Sequence, residues 1–207
     1  NRPDNFVITF DTSDADLESW SVTGADNVNV ENLMPKYEDG LHEIYVEMTV
    51  PSGLAADTSH GFTMTVTSEG DNTQTQTQEF SATVEQCYGL SMAVDKTTDS
   101  ADPSASADFT FTITNEGNGL DTVSLMSMGT FTPTLAETTL DISPETPGQV
   151  VLTLTAPADA TSGQKSQGVM VHAYSEACGE DLENCGYEVN SSVELSANQI
   201  FDISADY

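Results

Sequence analysis

The sequence predicts an all-β protein, built as tandem immunoglobulin-like antiparallel β-sandwiches. Three observations predict it. Apolar and polar residues alternate in runs of about five to eight, the period of a strand with one buried face. Gly, Pro and Asn/Asp turn residues break these runs, and no segment sustains a helical period. The whole pattern also occurs twice, with about seven such runs in each hundred residues, as an immunoglobulin-like sandwich requires.

Taken in order, the first copy offers Phe6, Ile8 and Phe10, then Ile44, Val46, Met48 and Val50 ending at Pro51. Phe62, Met64 and Val66 follow, and then Phe80, Ala82 and Val84. The second copy answers with Phe109, Phe111 and Ile113, then Val150, Leu152, Leu154 and Ala156 ending at Pro157. Val169, Val171 and Ala173 come next, then Val193, Leu195 and Ala197. On this alignment the loop Asp11 to Val22 falls on Thr114 to Leu125, which sets Trp20 in the place of Val123. The spacing grows from 103 residues (Phe6 to Phe109) to 113 (Phe80 to Val193) through loop insertions.

The ends of the copies differ. Leu90, Met92 and Val94 form an opening strand for the second copy, and the first copy has no counterpart ahead of Phe6. Gln199-Ile-Phe-Asp-Ile-Ser-Ala205 echoes Gln86-Cys-Tyr-Gly-Leu-Ser-Met92. The expected organisation is therefore residues 1–86 as a repeat lacking its first strand and 87–198 as a complete repeat. Residues 199–207 are the first strand of a following repeat, or a donor strand that presents Phe201, Ile203 and Ala205 to a neighbouring module. Either way the partners are adjacent modules or copies of the chain itself.

Charge narrows the function. Against 34 Asp and Glu stand four basic residues, Arg2, Lys36, Lys96 and Lys165, for a formal net charge of −30. Such a chain repels phosphate backbones and anionic lipid, which argues against nucleic-acid partners and direct membrane insertion. No apolar run reaches the length of a membrane span. Self-repulsion on this scale calls for salt or bound cations, or serves solubility alone.

Of three cysteines, Cys178 and Cys185 flank a turn-rich hexapeptide whose spacing suits a local disulfide in an oxidising, extracellular compartment. Cys87 is left over, and pairing of Cys87 with either of the others is the alternative.

Asn115-Glu-Gly-Asn-Gly-Leu-Asp-Thr-Val-Ser-Leu125, Leu140-Asp-Ile-Ser-Pro144 and Thr153-Leu-Thr-Ala-Pro-Ala-Asp-Ala-Thr-Ser-Gly163 resemble the Ig-like repeats of prokaryotic surface proteins. The type is that of CARDB and NPCBM-associated domains, and the acidity resembles archaeal envelope proteins. The resemblance covers most of 88–198 and, more weakly, 6–86. It implies a β-sandwich used as a stalk, adhesion module or lattice element, with no catalytic residues to carry over. The first copy departs from the pattern, with Asp11-Thr-Ser-Asp-Ala-Asp16 where the turn should read Asn-x-Gly-Asn.

Candidate chemistry is sparse. Asp11, Asp14, Asp16 and Glu18, with Ser13, could converge on Ca²⁺, a hard cation that takes six to eight oxygens. So acidic a chain also produces such a loop by chance. Glu176, Glu180, Asp181 and Glu183 form a second acidic group, expected near the linker Glu85 to Tyr88. Asn190-Ser-Ser192 is the one N-glycosylation sequon. His42, His60 and His172 are scattered, and no nucleophile-elbow, P-loop, zinc or dinucleotide motif occurs. The expectation is a non-catalytic extracellular structural protein, part of a cell-surface array or filament. The alternative is an adhesin or carbohydrate-binding accessory module that takes glycans.

Overall fold

Period-2 burial is the physical basis of the architecture. In the computed structural model, which describes residues 3–15, 19–34, 41–144, 146–178 and 188–198, nearly every regular element is a strand. The chain is all-β and almost wholly antiparallel, as expected. It divides into unit 1, Asn1–Gln86, and unit 2, Cys87–Tyr207.

Unit 1 contains β1 (Asp4–Asp11), β2 (Ser21–Thr23), β3 (Val28–Leu33), β4 (Glu47–Thr49), β5 (Ser59–Ser68) and β6 (Thr75–Thr83). Four of them form a sheet in the order β3-β1-β5-β6, and β2 pairs with β4. The edge strand β6 begins with Thr75-Gln-Thr-Gln78, polar and exposed, a composition that discourages edge-to-edge association.

Unit 2 contains β7 (Leu90–Val94), β8 (Thr98–Ala101), β9 (Ser106–Asn115), β10 (Asp121–Met128), β11 (Thr134–Leu135), β12 (Thr139–Ile142), β13 (Gly148–Thr155), β14 (Met170–Ser175), β15 (Glu188–Ser192) and β16 (Glu194–Ala197). Two four-stranded sheets, β12-β10-β14-β15 and β11-β13-β9-β7, enclose one apolar core, and β16 runs parallel to β8. Every second residue of β9 is buried: Ala107, Phe109, Phe111, Ile113 and Asn115. Leu152 and Leu154 of β13 share that core with Val123, Leu125 and Val171 from the other sheet. At the turn after β10, Gly129 has φ +125°, and a Cβ there would press on the backbone of Val169, so only glycine fits.

Strand pairing corrects the repeat alignment. In unit 1, β1 is bonded to β3 and β5, β5 to β6, and β2 to β4. In unit 2 the same roles belong to β10, β12, β14, β15, β11 and β13. Phe6 faces Ser68 across one ladder as Val123 faces Ser175 across the other. Phe6 and Ile8 thus correspond to Val123 and Leu125, not to Phe109 and Phe111. The pairing of Phe62 with Val169 and of Phe80 with Val193, expected from sequence, agrees with the ladders.

Three consequences follow. Trp20 is buried just ahead of β2, in the place that Phe131 holds ahead of β11, rather than in that of Val123. Asp11 is the last residue of β1 and Thr12 to Ala15 come after it, so this segment is not the counterpart of the Asn-x-Gly-Asn turn, which precedes β10. And among the described residues, unit 1 has no strand in the roles of β7, β8 and β9, where sequence reading expected a single strand to be lacking.

Candidate functional site

The same polar pair sits at the same place in both units. In unit 2 the Ser175 hydroxyl donates to Asp121 Oδ1 at 2.7 Å. In unit 1 the Ser68 hydroxyl donates to Asp4 Oδ2 at 2.6 Å. Each pair ties the start of one strand to the end of its neighbour across more than fifty residues of sequence, which is why sequence reading missed it.

Environment separates the two aspartates. Asp121 is only 3% exposed, and burial raises its pKa; the Ser175 hydrogen bond lowers it, and the nearby Glu176 charge raises it. Asp4 is better solvated, and the Ser68 hydrogen bond holds its pKa below the ordinary value against a smaller opposing effect of burial. The two therefore act on stability with opposite sign. A carboxyl with a raised folded pKa destabilises the fold as it ionises, so the contribution of Asp121 falls as pH rises from 3.8 through the folded value. That of Asp4 is present above 3.8 and is lost as pH falls through its depressed value. Asp121→Asn is expected to gain stability relative to the parent as pH rises through the Asp121 window. Urea unfolding of both proteins across acid to neutral pH checks this; a difference that does not change with pH would overturn it.

The two described carboxylates of the unit 1 acidic loop, Asp11 and Asp14, are engaged with their own fold. Asp11 Oδ1 accepts the Ser13 amide at 3.1 Å, and Ser13 holds its carboxyl below the ordinary value. Asp14 Oδ2 accepts the Gly61 amide at 2.8 Å, and Asp14 Oδ1 lies 3.4 Å from His60 Nδ1. His60 in turn packs edge-on against Trp20, with centroids 5.4 Å apart. A polar recess of about 590 Å³ borders Asp14, His60, Gln78 and Glu79 beside the stacked rings of Phe62 and Phe80. Asp16 and Glu18 lie outside the described residues, and among the described residues no three His, Cys, Asp or Glu side chains gather as metal ligands.

In the second acidic group, Glu176 Oε1 accepts the Ser124 hydroxyl at 3.0 Å, while Glu180, Asp181 and Glu183 lie outside the described residues. So does Cys185, and with it the expected disulfide to Cys178. Cys87 is an exposed free thiol whose amide donates to Asn118 Oδ1 at 2.7 Å. Asn190 is exposed on the edge strand β15, opposite His172. Phe201, Ile203 and Ala205 lie outside the described residues.

The Asn-x-Gly-Asn motif has a clear structural role. Asn115 is buried at the end of β9, and its Nδ2 donates to the carbonyls of Gly119 and Ile142, each at 2.8 Å. Its Oδ1 accepts the Gly117 amide at 2.8 Å. One side chain thus closes the β9–β10 turn and ties it to β12.

No protein-family model matches the chain, and no curated protein does. Among solved structures, it is similar to domains 4 and 5 of the S-layer protein SbsC, at 17% identity and a TM-score of 0.35, over 92% of this chain and 70% of that one. A structure of SbsC domains 1–6 gives 14% identity and a TM-score of 0.36, over 96% of this chain and 20% of that one. A protein of unknown function from Porphyromonas gingivalis W83 gives 11% and 0.29, over 94% and 84%. At these TM-scores the superpositions are too loose to carry a function across.

Proposed function

We propose that the chain is a non-catalytic extracellular structural protein, a segment or subunit of a cell-surface array or filament assembled in line from Ig-like modules. The observation that carries this reading is the recurrence, in two successive units, of one strand-pairing pattern with its Asp–Ser pair in register. A module repeated along a chain is the usual basis of a linear array. In unit 2 the space between the sheets is filled by side chains such as Phe109, Phe111 and Leu152, so the unit offers a stiff body. The charge of −30 supports a hydrated, cation-screened exterior. CARDB or NPCBM-type ancestry and an archaeal envelope belong to the same proposal, as do Ca²⁺ in the Asp11–Glu18 loop and glycan on Asn190.

The first test sets the denatured mass of the native protein against its assembled size, with micrographs of the isolated material. Ordered lattices or filaments are expected. A monodisperse particle of one chain that never associates, at any salt or Ca²⁺ concentration, would refute the proposal. The binding-module alternative is favoured by one feature, the polar recess beside the Phe62–Phe80 stack. A glycan array reads it directly, and an array without hits removes it.

A further inference from the structure

The outward face of one sheet in unit 2 gathers soft metal ligands. Alternate residues of β10 and β14 point into the core, Val123 and Leu125 on one strand and Val171 and Ala173 on the other. Their neighbours Met126, Met128, Met170 and His172 therefore share the opposite face. The ladder sets Met126 directly across from His172 and Met128 directly across from Met170. Met126 is 38% exposed and Met128 47%, while Met170 and His172 are half-buried. Three of the seven methionines in the chain thus meet one of its three histidines on a single patch.

Nothing in the fold asks for this set. By ladder register the same four positions in unit 1 are Thr9, Asp11, Thr63 and Thr65, oxygen-bearing residues that suit a wet face. The outward positions beside the patch are Ser124, Tyr174, Asn190 and Ser192, none of them acidic in a chain with 34 acidic residues. Directly opposed side chains start about 5 Å apart, and alternate residues along a strand about 7 Å apart. Methionine spans such gaps easily, because its unbranched stem rotates freely. Three sulfurs and one imidazole nitrogen can thus close on a single ion. The ring of Tyr174 stands 5.7 Å from that of His172 and borders the site on one side.

We propose that Met126, Met128, Met170 and His172 form a binding site for Cu(I), with the three thioether sulfurs and one imidazole nitrogen as ligands. The choice of ion follows from ligand softness. Thioethers hold Cu(I) well, whereas Ca²⁺ and Mg²⁺ take oxygen. Zn²⁺ sites are built from thiolate, imidazole and carboxylate, and of these the patch has only the His172 imidazole. The negative charge of the chain draws any cation toward its surface, and the sulfurs select among those that arrive. The site is independent of the array reading, since it needs only the β10–β14 ladder of unit 2.

The test uses the 207-residue chain with its free thiols blocked by N-ethylmaleimide, so that thiol sulfur takes no part. Cu(I) is added without oxygen, in competition with bicinchoninate. A single ion is expected to stay with the protein, with mostly sulfur neighbours in its X-ray absorption spectrum and shifted methyl signals for Met126, Met128 and Met170. Met126→Leu, Met128→Leu and His172→Gln are each expected to weaken binding at least about tenfold, since changes to groups that merely orient a ligand already cost that much. Leucine keeps the volume of methionine and these side chains face outward, so the fold is expected to persist, which urea unfolding checks. Met92→Leu, partly buried on β7, is expected to leave binding unchanged. No Cu(I) held against the competitor would overturn the proposal. Copper with oxygen neighbours, indifferent to the methionine substitutions, would overturn it in favour of adventitious binding to carboxylates. Failure to hold Cu(I), together with loss of self-association in the leucine variants, would overturn it in favour of a contact face between copies.

Discussion

Phe111→Ala is expected to destabilise unit 2 by about 3–5 kcal/mol, the range for removing a buried aromatic ring from a core that cannot close over the void. Phe111 is 0% exposed and lies on β9, which has β13 on one side and β7 on the other. Opposite it across the two ladders are Val150 and Val94, and the facing sheet brings Val123 and Val171 into the same core. Strands held on both sides relax little, so the cavity stays. Phe80→Ala is the matched control. That ring is 43% exposed and stacks on Phe62 at 4.9 Å, so its loss is expected to cost about 1 kcal/mol or less. Guanidinium unfolding, read by hydrogen exchange in each unit, compares the two. Equal costs would mean that unit 1 is as well packed as unit 2.

Asn115→Ala is expected to cost about 3 kcal/mol, on the basis of three hydrogen bonds worth about 1 kcal/mol each. The substitution removes the donors to Gly119 and Ile142 and the acceptor for Gly117 together. It leaves the Ile142 carbonyl deep in the fold, where an unmade hydrogen bond carries its full desolvation cost. Asn115→Asp separates the parts. It keeps the acceptor for Gly117 but loses both donors and places a charge where Asn115 is almost fully buried, so it is expected to be at least as damaging above the carboxyl pKa and to recover partly in acid. A cost below about 1 kcal/mol for the alanine would show that water replaces the side chain.

The alternating runs made most strands legible, because a strand with one wet face and one dry face writes that difference at every second residue. Phe109, Phe111 and Ile113 are inside as expected, and so are Leu152, Leu154 and Leu195. In the sequence the Asn115 turn stood out only as part of a resemblance, which said nothing of the three hydrogen bonds that its side chain makes. Charge and composition set bounds on partners by electrostatics, which needs no fold.

Alternation says that a strand has an inside and leaves open which strand lies beside it. Phe6-x-Ile-x-Phe10 matches Phe109-x-Phe-x-Ile113 by pattern, yet its ladders give it the role of Val123-x-Leu125. That choice belongs to backbone hydrogen bonds between segments as far apart as Asp4 and Ser68, or Asp121 and Ser175, which no local window contains. The pKa contrast between two equivalent aspartates has the same origin, since burial is a property of the assembled sheets. By itself, then, the sequence determined an all-β, twice-repeated, strongly acidic chain. Only the tertiary structure decided the register of the repeat and the burial that separates its two aspartates, because both depend on which edges meet.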